Sequence, residues 1–432
     1  MLENMDQVEA FFYNRKKYGI KPGLDRIKKL LNKLDNPQNK IKAIHIAGTN
    51  GKGSTLNYIK SALIANQYKV GVFTSPSMTG LTGHLFVNDQ MIEEDFFINI
   101  MNTILPSIQQ MDEQGFHVTE FEIITVVAFI YFSKIADISL IETGMGGLED
   151  ATNCVNPMIS IITSVSLDHT TYLGNKIEQI ATHKAGIIKS NIPVVIGKMQ
   201  SSVETIILQE TRSKNAPLFK LGDEFTYSNI EVKQEGENFI WHDEETNLPV
   251  ILKMSGRHQV ENCSVALKAV NMLREQGYSI KWDAVQTALR LASIPGRFEP
   301  IYNDPTIILD GAHNPAGIET FLNTISSHYQ YAEKHLLFGV FKDKDLDQMI
   351  GQCIPHFKSI TLTSFEHERS AGMDELSKYS TRENIQVVND WEEQLSNILN
   401  HSTDPNSVYF ITGSLNFISQ VREKMRRDDY LR

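Results

Sequence analysis

Cysteine is scarce in this chain. Its three residues, Cys154, Cys263 and Cys353, lie far apart and form no CxxC pair. That argues against a disulfide framework and against a structural zinc site. Basic residues are outnumbered, 41 Lys and Arg against 52 Asp and Glu, for a formal net charge of −11. A surface that neutralises nucleic-acid phosphates needs clustered Lys and Arg, so no nucleic-acid partner is expected, while a local basic pocket for a small anion remains allowed. Long apolar runs are missing as well. The most apolar stretch, Ile123 to Phe132, falls well short of the roughly 20 residues a helix needs to cross a bilayer. The opening MLENMDQVEAFF carries acids where a secretory leader carries bases. The expectation is a reducing, cytoplasmic setting without membrane contact.

What is present is ordinary for a globular protein: 41% hydrophobic and 22% charged residues. With 432 residues the chain exceeds what one hydrophobic core serves, which predicts two domains. Leu24, Ile27, Leu30, Leu31 and Leu34 recur at spacings of three and four, a helical period. Then short strands and helical runs alternate. Strands are predicted at Ala43 to Ala47, Val70 to Thr74, Ile138 to Glu142, Ile159 to Thr163 and Pro193 to Ile196, with helices at Ser54 to Asn66 and about Glu120 to Ile135. This alternation implies a mostly parallel sheet covered on both faces. Residues from about Leu218 to Met254 read as a small antiparallel addition, followed by a helix from about His258 to Glu275. Pro and Gly in Ser293-Ile-Pro-Gly-Arg297 mark a hinge. Beyond it the alternation restarts, with strands at Thr306 to Leu309, His335 to Val340, Ile360 to Thr363, Ile385 to Val388 and Val408 to Thr412. The predicted fold is α/β: a P-loop-type, mostly parallel N-terminal domain over 1–294, and a smaller Rossmann-like α/β domain over 295–432.

Between the first strand and its helix lies Gly48-Thr49-Asn50-Gly51-Lys52-Gly53-Ser54-Thr55. Glycines let backbone N–H groups turn toward an anion, and a helix N-terminus adds a favourable field. Lys52 can reach the β- and γ-phosphates of a nucleotide, and Ser54 can offer its hydroxyl to magnesium. The strict Walker spacing is not met, because Ile46 stands five positions before Gly51. A Gly-rich turn with an incidental lysine is the alternative.

Glu142 ends an apolar strand and faces the crevice where α/β sheets bind ligands. A lone acid there also suits a cap or a surface position. Leu167-Asp168-His169 follows another strand and can share that crevice, although a single His is usually structural. Lys184, in His183-Lys-Ala-Gly-Ile-Ile-Lys189, reads on its own as a helix-surface lysine. Asp310-Gly-Ala-His313-Asn-Pro315 reads on its own as a strand-to-helix cap.

Taken together, these segments resemble the folylpolyglutamate synthase and dihydrofolate synthase family of the Mur ligase superfamily. GTNGKGST resembles that family's nucleotide loop, and HKAGIIK its carbamylated-lysine signature. Gly256-Arg-His258-Gln-Val-Glu-Asn262 resembles HQxxN, Pro295-Gly-Arg297 resembles PGR, and Asp310 to Asn314 resembles DGAHN. Thr412-Gly-Ser-Leu415 resembles TGS. The resemblance runs from about residue 20 to residue 420. It implies an acid–amino-acid ligase that activates the γ-carboxylate of a folate with ATP as an acyl phosphate, then joins it to L-glutamate. Activity on dihydropteroate is implied as an option.

The resemblance also implies roles for residues. Thr49 to Thr55, Asn262, Arg297 and Asp310 would hold ATP, with Lys52, Lys184 and His313 serving catalysis. Two magnesium ions would be held by Ser54, Ser75, Glu142, His169 and a carbamate on Lys184. The family's usual monomeric state is implied too. Departures cluster on the acceptor side. Gly83 and His84 replace a usual Glu and Arg in the loop Ser77 to Leu85, Leu148 stands where Arg is common, and Ile294 precedes PGR in place of Trp. A related ligase with a non-folate acceptor, or a nucleotide-binding paralogue without catalysis, are the alternatives. The latter would be expected to have lost Lys52, Glu142 or Lys184, and all three are present.

Overall fold

The structure is a computed structural model describing every residue except 78, 79, 234, 235, 245, 402, 403, 405 and 432. Met78 and Thr79 of the altered acceptor-side loop therefore lie outside the described residues. The chain divides into two compact units. The first comprises Met1–Asn229, Phe239–Val250 and Val260–Leu291; the second comprises Ile230–Asn238, Ile251–Gln259 and Ala292–Arg432.

The first unit is built on an eight-stranded sheet. Its strands are β1 (Ala43–Ala47), β2 (Val70–Phe73), β3 (Leu85–Val87), β4 (Gln90–Met91), β5 (Ile138–Glu142), β6 (Ile159–Ile162), β7 (Val194–Ile196) and β8 (Leu218–Lys220), in the order β4-β3-β2-β5-β1-β6-β7-β8. Strands β2, β5, β1, β6, β7 and β8 run parallel. All five residues of β1 and of β5 are buried, as expected for strands covered on both faces. The register pairs Ile46 with Glu142 and Ala47 with Ile162, so the ends of β5, β1 and β6 open at one edge of the sheet.

The helix Glu120–Ile135 is apolar on every side. Its residues from Glu122 to Phe132 are all buried, and it starts with a capping box between Thr119 and Glu122. A helix without a polar face belongs inside a core, which explains the apolar run seen in the sequence. No helix among the described residues is long and apolar enough to cross a membrane.

Several features depart from the sequence reading. Strand β8 extends the parallel sheet beside β7, because Leu218–Lys220 continues the βαβ rhythm after the helix Ser201–Ser213. The antiparallel addition therefore starts later, as β9 (Phe225–Val232), β10 (Glu237–Asp243) and β11 (Thr246–Leu252) in the order β11-β10-β9. A hairpin, β3 and β4, extends the opposite edge of the first sheet. The helix Glu94–Glu113, which buries Phe97, Ile100, Met101, Ile104, Ile108 and Met111, was also not anticipated.

The second unit holds a six-stranded sheet of β12 (Glu299–Asn303), β13 (Thr306–Leu309), β14 (Glu333–Gly339), β15 (Ser359–Thr363), β16 (Ile385–Val388) and β17 (Ser407–Thr412). The order is β12-β13-β17-β14-β15-β16, and only β12 runs antiparallel. Its strands bury both faces by alternation: Ile307 and Leu309 join one core cluster, while Ile308 joins the other.

Candidate active site

The turn after β1 carries two glycines at which any side chain would be strained. Gly48 has φ +155 and Gly51 has φ +88. A Cβ at Gly48 would collide with the Thr163 hydroxyl, and one at Gly51 with the Asn262 carboxamide. The turn is laced to the segment following β6. Thr49 N–H donates to Ser164 O (2.8 Å) and Asn50 N–H to Ser164 Oγ (3.0 Å). Thr163 Oγ1 donates to Asn50 O (2.6 Å), and Ser166 N–H to Thr49 Oγ1 (3.0 Å). The helix Lys52–Ala65 follows immediately, with Ser54 and Thr55 buried in its first turn. Its N-terminal N–H groups make an anion site of the kind that holds phosphate.

Lys52 turns back onto this loop. Its Nζ donates to Gly48 O (3.0 Å) and Thr49 O (3.4 Å) and lies 3.9 Å from Glu142 Oε1. Glu142, 5% exposed at the end of β5, accepts from Thr74 Oγ1 at 2.7 Å. Thr74, just beyond β2, escaped the sequence reading; its position beside Ser75 was the available signal. Ser75 is half-buried. In the neighbouring loop His84 Nδ1–H donates to Thr74 O (2.7 Å), and burial lowers the His84 pKa.

Lys184 sits in the last turn of the helix Ile177–Ala185 and is 4% exposed. Burial, reinforced by the Lys52 charge, lowers its pKa to about 7, while Asp168 and Asp150 oppose that shift. The structure thus places Lys184 in the field of Lys52, Asp168 and Asp150, and Lys52 beside Glu142. A surface lysine, the reading from sequence alone, is not what the fold contains. His169 is exposed, with φ 50, and caps the short helix Thr170–Leu173.

A buried scaffold that the sequence reading did not assign holds this arrangement. Asp150 accepts from Met145 N (2.7 Å), Thr152 N (3.0 Å) and the Thr152 hydroxyl, shaping the turn after Glu142. Burial raises the Asp150 pKa against these bonds. Because Thr152 Oγ1 donates to Asp150, it accepts from His45 Nε2–H at 2.9 Å. Asn153 Nδ2 bridges Leu148 O and Gly186 O, both at 3.0 Å, and so ties the turn to the end of the Lys184 helix.

In the second unit, Asp310 accepts from Phe298 N (2.9 Å) and Ala312 N (2.8 Å). Its pKa is raised by burial, with the Arg297 charge opposing. A Cβ on Gly311 would meet the Arg297 guanidinium, so Arg297 and the Asp310 turn are packed together. His313 Nδ1–H donates to Gly311 O at 2.8 Å, and Asn314 caps the helix Pro315–His328. Gly413 N–H donates to Ala312 O (3.1 Å), joining the segment at the end of β17 to the same turn. His258 is buried, and burial followed by the Arg297 charge lowers its pKa to about 4.

The chain is similar to known proteins in sequence and in fold. Residues 46–270 match the Mur ligase middle domain, and residues 296–415 match the Mur ligase glutamate ligase domain. The dihydrofolate synthase/folylpolyglutamate synthase of Bacillus subtilis (strain 168) is 34% identical over 99% of this chain and 100% of its own. The Mycobacterium tuberculosis folylpolyglutamate synthase complexed with ADP and AMPPCP superposes with a TM-score of 0.88 at 27% identity, covering 96% of this chain and 97% of that one. The Escherichia coli FolC in complex with DHPP and ADP gives 0.88 at 25% identity, covering 99% of both chains. The chain belongs to the folylpolyglutamate synthase and dihydrofolate synthase family of Mur ligases.

Proposed function

We propose that this chain is an ATP-dependent ligase that adds L-glutamate to the γ-carboxylate of a reduced folate through an acyl phosphate, and that it also accepts dihydropteroate. The relatives' names and the nucleotide complexes of the Mycobacterium and Escherichia proteins support the reaction class. The observation that carries it here is the pairing of Lys52 with Glu142 at the mouth of a loop pre-shaped for phosphate.

In this reading Thr49, Asn50, Gly51, Gly53 and Thr55 build the loop that holds the phosphates of ATP: the N–H groups of Thr49 and Asn50 fix its shape through Ser164, and the helix start that follows faces the phosphates. The Lys52 ammonium leaves the loop carbonyls for the γ-phosphate. Asn262 braces Gly51, against which its carboxamide is packed. Arg297 supplies positive charge to phosphate, Asp310 accepts from the ribose, and His313 positions the transferring group. The folate carboxylate attacks the γ-phosphorus and ADP leaves. The amine of glutamate then attacks the acyl carbon, phosphate departs, and the amine loses a proton to give the amide. Positioning and charge neutralisation supply most of the rate in such transfers.

Magnesium fits the donor set in kind. Glu142, Ser54 and Ser75 are oxygen donors of the sort a hard cation takes. Among the described residues no group of three or more His, Cys, Asp and Glu stands ready as a metal cluster. Beside Glu142, a carbamate on Lys184 would provide a second anion. A neutral amine attacks CO2, and the burial that lowers the Lys184 pKa favours the neutral form. Ser54, Ser75, Glu142, His169 and that carbamate would hold two magnesium ions, which would neutralise phosphate charge. The same reading takes residues 1–294 as the ATP domain and 295–432 as the glutamate ligase domain of a cytoplasmic monomer.

The test is phosphate release from ATP with magnesium and L-glutamate, run with tetrahydrofolate, with dihydropteroate and without acceptor. Acceptor-dependent release supports the reading. Silence with both acceptors, in protein that binds ATP, removes the folate assignment.

A further inference from the structure

Between Arg15 and Lys33 the sequence carries eight Lys or Arg and one acid, Asp25, in a chain of net charge −11. Two of these bases are spent on structure: Arg15 pairs with Asp112, and Arg26 with Glu122 at 3.2 Å. Others are not. Lys16, Lys17 and Lys21 are exposed, and among the described residues they form no ion pair. Their ammonium groups lie over aromatic rings instead. Lys16 is 5.5 Å from the Tyr13 ring, and Lys17 and Lys21 are each 5.1 Å from that of Tyr18. Tyr18 stacks on His117 at 4.7 Å. The acids nearby are largely committed, Asp112 to Arg15 and His117, and Glu122 to Arg26 and the Thr119 cap.

This strip adjoins the candidate active site. Gly144, two residues beyond Glu142, is packed so closely on Phe121 that a Cβ there would press into the ring. Glu120, next to Phe121, feels the Lys16 charge, which opposes the effect of burial on its carboxyl. At the other end of the strip, Gly23 N–H donates to Glu149 O at 3.3 Å, in the turn that Asp150 shapes.

The reacting γ-carboxylate must lie toward ATP, so glutamates added earlier trail away from the nucleotide. Each carries one free α-carboxylate, and the product becomes a longer polyanion with each round. An acidic protein repels such a ligand unless local cations oppose the field. We propose that Lys16, over Tyr13, and Lys17 and Lys21, over Tyr18, form the subsite that holds the γ-glutamyl tail of an elongated acceptor. This rests on the ligase reading above and gives it a preference for longer tails.

Two measurements separate this inference from the ligase reading. The first is direct binding of a fluorescent γ-linked tetraglutamate, without a pterin, to wild type and to the Lys16→Gln/Lys17→Gln/Lys21→Gln variant. Binding that falls about tenfold in the variant, and that about 300 mM salt also weakens, is expected. Equal binding by both proteins, or none by wild type, overturns the subsite. The second is turnover of monoglutamyl and tetraglutamyl folate. The KM for the tetraglutamate should rise about tenfold in the variant, with kcat and the monoglutamate KM within about twofold of wild type. An equal change for both acceptors overturns the subsite. Should wild type turn over neither folate, the ligase reading fails, and the peptide binding still decides the strip.

Discussion

The ammonium of Lys52 lies 3.9 Å from the carboxylate of Glu142, while its hydrogen bonds go to carbonyls of its own loop. A cation already stands between the glycine-rich loop and the carboxylate at the end of β5. Replacing Lys52 with Ala should lower acceptor-dependent phosphate release by about a hundredfold or more, since a preorganised charge at a transferring group contributes on that scale. Circular dichroism and the melting temperature should stay close to wild type, because the side chain is partly exposed. The check is steady-state phosphate release beside thermal unfolding.

Gly51 makes a steric prediction. With φ +88 and the Asn262 carboxamide against it, Gly51→Ala forces either the backbone or Asn262 to move. Strain of this kind costs about 1–3 kcal/mol. Nucleotide affinity, read by titration calorimetry, should fall at least about tenfold. The Gly51→Ala/Asn262→Ala double variant should recover part of the loss, because one of the two causes is relieved.

Lys184→Ala should abolish ligation while leaving ATP binding within about threefold of wild type, as the lysine is assigned to the metal and not to the nucleotide. Wild type incubated with isotopically labelled bicarbonate should show a carbamate carbon resonance, and Lys184→Ala should lack it. A resonance that persists in the variant would move the carbamate elsewhere.

Buried His45 sets an acid limit on the first unit. Desolvation, with Lys189 adding to it, lowers its pKa to about 3, so the folded chain keeps the ring neutral where the unfolded chain protonates it. Between the ordinary histidine value and pH 3 the unfolded state binds more protons, and stability therefore falls as pH falls. At pH 5 this one group costs about 2 kcal/mol relative to neutral pH. His45→Gln should flatten the urea-midpoint profile between pH 7 and 5 by about that amount, although it lowers stability at pH 7 by weakening the bond to Thr152.

Much of this site was legible because it is local. A buried strand, two glycines, a lysine and a helix start sit within 15 residues, and hydrophobic period and turn chemistry report on such a stretch. The position of Glu142 at the end of an apolar strand was legible for the same reason. The scaffold was harder to read. His45 and Thr152 stand 107 positions apart, and Asn153 clamps Gly186 from 33 positions away. No periodicity in one sequence encodes such pairings. Lys184 shows the point most clearly, since a helix period cannot tell which face its neighbours will cover. Strand β8 was assigned to the wrong sheet for a similar reason: three residues match either pattern until a partner is known.

The strand order has a consequence for how the protein comes into being. β1 is flanked by β5 and β6, which enter the chain roughly a hundred residues later. A growing chain that has reached residue 120 already contains every glycine of the phosphate loop, and Lys52 with them, yet lacks β5 and β6, which flank β1, and the segment after β6 that laces the loop. Such long-range pairings form late and slowly. The ability to grip a nucleotide therefore arrives abruptly during synthesis, after Thr163 and Ser164 have emerged, and cannot be cut away as an early, self-sufficient module.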